Sequence, residues 1–189
     1  MSKASAPAVA RSELVLGGQR SGKSRRAEQL AAAWLAADAA HRAVFVVTAQ
    51  PGDGEMQSRI ERHRADRAER LPRAGTVEAP LALAEAVTGH SDAATLLVID
   101  CLTLWLVNQY PVDEAAMETA TENLASAIEN CAGPVVLVSN EIGLGVVPMG
   151  REVRAYVDAL GRLNQRIAAA CSRVTLVAAG LPLTLKDIE

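Results

Sequence analysis

A chain of 189 residues, half of them apolar, carries enough hydrophobic material for one sizeable core. Its 19 Lys and Arg against 22 Asp and Glu leave a net charge of −3, which excludes a globally basic binder of nucleic acid or anionic membrane. Aromatic residues make up 3%, too few for base-stacking platforms on single strands.

Residues 1–12 hold no continuous apolar stretch of signal-peptide length and read as a flexible arm ahead of a single domain over 13–189. No apolar run approaches the roughly 20 residues that a membrane span needs. From there two textures alternate. Short β-branched runs at 13–16, 43–48, 95–99, 134–139 and 173–177 are nearly all apolar rather than alternating, as in strands covered on both faces. Between them lie helix-length segments at 22–38, 53–70, 80–89, 113–131 and 150–171, in a chain that holds 36 Ala. The texture predicts an α/β fold, a mostly parallel sheet with helices on both faces. Loops that follow the strands then gather along one edge, where such sheets bind ligands. The stretches 51–54 and 71–75 carry loop signals. Cys101, Cys131 and Cys171 are odd in number and widely spaced. They predict ordinary buried or half-buried thiols and a reducing, cytoplasmic setting.

Directly after the first strand, Gly17, Gly18, Gln19, Arg20, Ser21, Gly22, Lys23 and Ser24 fit the pattern G-x-x-x-x-G-K-[ST]. Glycines let the backbone wind around phosphates, with loop and helix N–H groups facing the anion. Lys23 reaches the β- and γ-phosphates and Ser24 supplies a hydroxyl to Mg²⁺. This predicts a P-loop NTPase that binds a nucleoside triphosphate. Asp100, at the tip of the 95–99 strand, is the second candidate metal group. Thr48, Ala49 and Gln50 end the 43–48 strand, and Asn140 with Glu141 ends the 134–139 strand, so both open onto the same edge. The Asn140–Glu141 pair is a substrate-site candidate.

The segment 59–73 sets six Arg against three acids. Glu55, Arg59, His63 and Arg67 stand four apart, one row on a helix. Cationic neighbours favour the neutral, nucleophilic imidazole at His63, and the same Arg groups suit phosphates. Taken alone, such a row is usually a solvated helix face. His41 and His90 lie in predicted loops and receive no role.

These residues, with Thr76 to Glu78, Asp100 to Thr103, the 139–148 loop and Gly161 to Gln165, occur in the order seen in one enzyme family. Over about 13–180 the chain resembles the bifunctional adenosylcobinamide kinase/adenosylcobinamide-phosphate guanylyltransferases of cobalamin synthesis. The resemblance implies a RecA-like sheet, a homotrimer, ATP and GTP as substrates with Mg²⁺, and a corrinoid acceptor. It implies that His63 attacks the α-phosphate of GTP and carries GMP to adenosylcobinamide phosphate, giving adenosylcobinamide-GDP. The same protein first phosphorylates adenosylcobinamide. By position, Thr48, Ala49, Gln50, Arg64, Ala65, Asp66, Arg67, Glu78 and Asp100 become nucleotide contacts beside the phosphate loop, with His63 and Lys23 catalytic. One departure stands out: family members commonly carry an aromatic shortly after the position of Arg67, and 69–75 has none. Two other readings of the phosphate loop remain. One is a plain small-molecule kinase, in which His63 only contacts phosphate. The other is an ATPase switch that transfers nothing.

Overall fold

The computed structural model describes residues 7–52, 54–110 and 113–188; the side chains at 55, 56, 59 and 63 lie outside that description. In chain order the elements are β1 (Ser12–Gly17), α1 (Lys23–Ala37), β2 (Arg42–Val47), α2 (Gly54–Arg70), β3 (Ala74–Glu78), α3 (Leu83–Gly89) and β4 (Thr95–Asp100). They continue with α4 (Leu102–Asn108), α5 (Glu114–Glu129), β5 (Val135–Val138), α6 (Arg151–Ala170), β6 (Arg173–Ala178) and β7 (Leu181–Asp187).

The seven strands form one sheet in the order β3-β2-β4-β5-β1-β6-β7. All pairs are parallel except β6 with β7. Strict alternation divides each central strand between two apolar layers. Val15, Leu96, Val98, Val136 and Val138 face α1, whose Ala27, Leu30, Ala31 and Leu35 pack on them. Leu14, Leu16, Leu97, Ile99, Val135 and Leu137 face the other way, onto Leu83, Leu102, Trp105, Leu124, Leu160 and Ile167 of α3 to α6. The sheet is therefore covered on both faces, as the continuous apolar runs predict.

Three elements escape the sequence pattern. Strand β3 begins inside the 71–75 stretch that reads as a loop, and Ala74 and Gly75 pair with Ala43 and Val44. It is an edge strand with only half-apolar composition, so no periodic signal marks it. Strand β7 contains Pro182, which an edge strand tolerates because its outer side needs no N–H. Helix α4 has seven residues, too few to show a period.

The arm also needs correction where it is described. Ser12 belongs to β1, Ala10 is buried, and the Arg11 carbonyl accepts from Val135 N at 3.0 Å. Residues 1–6 lie outside the described residues.

One charged group sits inside this frame. Glu13 on β1 is fully buried, 3.3 Å from Arg26 of α1 and 3.7 Å from Arg173 of β6, and it accepts from Thr175 Oγ1 at 2.8 Å. Arg173 continues to Asp187 on β7 at 3.2 Å. The carboxylate thus joins three strands and the helix that follows the phosphate loop. Glu13→Ala leaves two guanidinium groups without their shared buried partner, and by analogy with broken buried pairs should cost about 3–5 kcal/mol. A lowered urea midpoint with an unchanged m-value checks this, and Glu13→Gln, which keeps an acceptor for Thr175, should cost less.

Candidate active site

Strand register decides which residues meet. Val47 is the partner of both Asp100 and Glu78, Asp100 is the partner of Val138, Val138 of Val15, and Gly17 of Val177. The carboxyl ends of β2, β3, β4 and β5 therefore line up beside the loop that follows β1.

That loop needs glycine at two of its positions. Gly17 has φ 154° and Gly22 has φ 110°. A Cβ on Gly17 would stand 2.4 Å from the Val177 carbonyl oxygen, and one on Gly22 would stand 3.2 Å from Gly180 Cα. Only a residue without a side chain lets the loop run this close to the end of β6. The loop is closed by Ser21 N donating to Gly18 O at 3.2 Å, and Gly180 N donates to Ser21 O at 2.8 Å. Lys23 is buried, and its Nζ donates to Gly18 O at 2.6 Å, so the ammonium lies across the loop. Ser24 follows in the first turn of α1, and Gly18, Gln19 and Arg20 are exposed at the rim.

Beside the loop, Thr48 is fully buried, and its hydroxyl both donates to Cys101 O at 2.7 Å and accepts from Cys101 N at 3.0 Å. This bracket fixes the backbone just after Asp100. Asn108 of α4 donates to Thr48 O at 2.7 Å and Pro80 O at 3.1 Å, anchoring the same turn from the other layer. Burial first, then the neighbouring Asp100, raises the Cys101 thiol to about 11, so it stays protonated and is no nucleophile near neutral pH.

Arg67 reaches in from α2. Its side chain is 8% exposed, its guanidinium lies 4.4 Å from the Phe45 ring centre, and it stands 3.5 Å from Asp100 Oδ2. Burial lowers its pKa below the ordinary arginine value, while Asp100 and Glu28 oppose that shift. An arginine remains charged regardless. The result is a cation held against a half-buried carboxylate at the strand edge. Its Nε is buried without a hydrogen-bond partner.

A model of the cobinamide kinase/cobinamide phosphate guanyltransferase family matches residues 13–185. The chain belongs to that family. A bifunctional adenosylcobalamin biosynthesis protein of Pseudomonas aeruginosa, CobP, is 46% identical over 175 residues, covering 92% of this chain and 96% of the relative. The Escherichia coli protein of the same description, CobU, is 35% identical over 187 residues, covering 92% of this chain and 98% of the relative. A solved structure from Pyrococcus horikoshii, at 10% identity, superposes with a TM-score of 0.58 over 97% of this chain and 90% of its own. That likeness speaks to the fold alone.

Set against the residues expected from the family pattern, the phosphate loop, Thr48, Ala49, Arg67 and Asp100 converge on one edge. Gln50 is exposed beside them. Arg64 and Glu78 are exposed and pair with each other at 2.7 Å, and Asp66 is 3.9 Å from Arg70 rather than aimed at the loop. Ala65 is exposed. His63 falls on α2 one turn before Arg67, and its side chain lies outside the described residues. Asn140 and Glu141 serve the backbone as well: Asn140 O accepts from Asn164 at 3.0 Å, and Glu141 N donates to Gly17 O at 3.0 Å. Glu141 Oε1 accepts from Gly143 N at 2.8 Å, so this carboxylate shapes its own loop.

Asn108 and the buried pair of Ser139 and Asn164, linked at 2.7 Å, are the support that a residue-by-residue reading leaves out. Asn164 stands inside the Gly161 to Gln165 motif, which is the one signal for it. Gly17→Ala should clash with a backbone carbonyl that cannot rotate away. The variant is expected to lose at least about tenfold in GTP affinity in a calorimetric titration, roughly 1.4 kcal/mol, with a lowered melting temperature.

Proposed function

We propose that this chain performs both reactions of its family: phosphorylation of adenosylcobinamide by a nucleoside triphosphate, and transfer of GMP from GTP to the product. The observation that carries the reading is Lys23, buried and bonded across the phosphate loop, one sheet edge with Arg67 and Asp100. A triphosphate in the loop would replace the Gly18 carbonyl as the ammonium's partner.

In the kinase step, the hydroxyl oxygen of the substrate's aminopropanol arm attacks the γ-phosphorus. The bridging bond to the β-phosphate breaks, its electron pair leaves with the diphosphate, and the hydroxyl proton passes to solvent. Lys23 and the loop N–H groups stabilise the charge that gathers on the bridging oxygen. In the second reaction the unprotonated ring nitrogen of His63 forms a bond to the α-phosphorus of GTP, and pyrophosphate departs. A phosphate oxygen of adenosylcobinamide phosphate then attacks that phosphorus, and the pair of the P–N bond returns to the ring. Arg67, held on Phe45 and Asp100, would neutralise the phosphates of this complex.

Among the described residues no group of three acids, His or Cys can hold a metal ion by itself. Mg²⁺ carried in on a nucleotide needs only one or two protein oxygens, and the Ser24 hydroxyl and the Asp100 carboxylate fit that donor set. Bound there, it would neutralise charge on the β- and γ-oxygens. We further propose a homotrimer, for which the exposed Leu181, Leu183, Leu185 and Ile188 on and after β7 are the support. A cytoplasmic setting agrees with three free cysteines, and among the described residues no helix is long and apolar enough to cross a membrane.

Lys23→Ala removes charge from the loop without removing core volume. Its kinase rate should fall by at least about a hundredfold, the scale of losing one transition-state donor, with the melting curve little changed; full turnover would remove the phosphate-loop assignment. The decisive experiment uses labelled GTP. Wild-type protein should retain label from α-labelled GTP through denaturing electrophoresis and none from γ-labelled GTP. Acid should release the label, because protonating the imidazole makes it a good leaving group. His63→Ala should take up none, and its kinase step should persist. Equal labelling of His63→Ala would place the covalent nucleotide on another residue, and an unlabelled wild type would favour the plain kinase.

A further inference from the structure

The phosphate loop has two flanks. Thr48, Arg67, Glu78 and Asp100 all lie on the side of β4, β2 and β3, because β5 and β1 separate those strands from β6 and β7. The opposite flank holds a cavity of 300 Å³ between the first turns of α1 and the turn joining β6 to β7. None of the residues considered for guanylyl transfer lines it except Gly22 of the loop itself.

This cavity is built into the phosphate loop. Gly180 N donates to Ser21 O at 2.8 Å, and the missing side chain of Gly22 admits Gly180 Cα. The β6–β7 turn is thereby held against the loop, with Ala179 at φ 51° and Gly180 at φ 78°. Val177, 2% exposed, and Pro182 supply apolar wall, and Arg25 and Gln29, one turn apart on α1, supply polar groups. Arg26 completes the wall; Glu13 fixes it at 3.3 Å, and its Nε is buried with no hydrogen-bond partner. The volume sits at the small end of ligand pockets, about 300–1,000 Å³. That suits a nucleoside whose phosphates are held elsewhere.

The two reactions make opposite demands on a triphosphate held by one loop. Guanylyl transfer exposes the α-phosphorus, so the nucleoside end lies toward α2 and His63. Phosphoryl transfer exposes the γ-phosphorus, so the nucleoside end must point away from the acceptor. A single loop satisfies both if the nucleoside has a berth on each flank.

We propose that the cavity between α1 and the β6–β7 turn is a second nucleoside subsite, holding the base and ribose of the phosphoryl donor on the flank opposite the guanylyl site. This rests on the kinase activity proposed above. A flat base lies against Pro182 and Val177, the Arg25 guanidinium covers its face or meets the α-phosphate, and the Gln29 amide serves as donor and acceptor. Among the described residues the lining contains no carboxylate to accept from the N1–H and amino group of guanine, so an adenine nucleotide fits it.

Photolabelling of the full-length protein with 8-azido-ATP and 8-azido-GTP, followed by peptide mapping, tests the location without relying on turnover. The azido-ATP label is expected within 25–29 or 177–182 and the azido-GTP label within 48–50 or 64–78. Azido-ATP labelling confined to the second region, or absent from both, overturns the proposal. Gln29 is exposed on α1, so Gln29→Trp fills the cavity from outside, and an unchanged melting temperature will show that it folds. In this variant the KM for ATP in the kinase reaction should rise at least tenfold with kcat changed less than twofold. Its labelling by α-labelled GTP should stay at the wild-type level. An unchanged KM, or an equal loss of both reactions, also overturns it. A wild type that phosphorylates no cobinamide refutes the kinase reading instead, while the azido-ATP map still decides whether the cavity binds a nucleoside.

Discussion

Backbone conformation at two glycines underlies everything else in this protein. Between β1 and α1 the chain must turn sharply and still let the end of β6 pass within van der Waals distance. Gly17 and Gly22 both adopt positive φ, and a side chain on Gly17 would overlap the Val177 carbonyl. The turn after β6 is then bonded to Ser21. Because β1 is central in the sheet, this local demand becomes a global one. The strands on either side must end at the same height, and parallel pairing in strict register ensures that they do.

Charge is arranged around that loop in two tiers. Deep in the sheet, Glu13 balances Arg26 and Arg173 and ties the start of α1 to β6. At the sheet edge, Arg67 is desolvated against Phe45 and paired loosely with Asp100 at 3.5 Å. The inner triad is structural, since each member loses most of its water and gains a partner. The outer pair is of a different kind. The contact is long, and the Arg67 Nε is buried without a hydrogen-bond partner.

Polar support comes from the second layer. Asn108 anchors the turn after β2, and Asn164 with Ser139 anchors the turn after β5. Each is a side chain from a helix on the α3 to α6 face that satisfies backbone groups at a strand end. Beyond Asn140 the chain leaves this support. Leu144, Val146 and Met149 are 81%, 95% and 97% exposed, and Arg154 of α6 gathers the end of the loop by donating to Pro148 O at 3.0 Å. The loop begins at the phosphate loop through Glu141 N and Gly17 O, so it stands at the mouth of the site.

Much of this was legible in the residues alone. Short, nearly continuous apolar runs that alternate with helix-length segments read as strands buried on both faces, so five of the seven strands and the two-sided covering were legible within short windows. The phosphate loop is equally local, because glycine, lysine and serine act through backbone freedom, charge and a hydroxyl within eight consecutive residues. Family membership was carried by the order of several motifs, and the match over 13–185 agrees with it. What the sequence could not settle is everything that depends on partners distant in the chain. Edge strands β3 and β7 are defined by a neighbour rather than by a pattern of their own. Of the four consecutive positions from Arg64 to Arg67, one guanidinium turns inward to Asp100 and the other pairs outward with Glu78. Helix phase against the sheet decides between them, and that phase is set by packing of Arg67 on Phe45, 22 residues earlier in the chain.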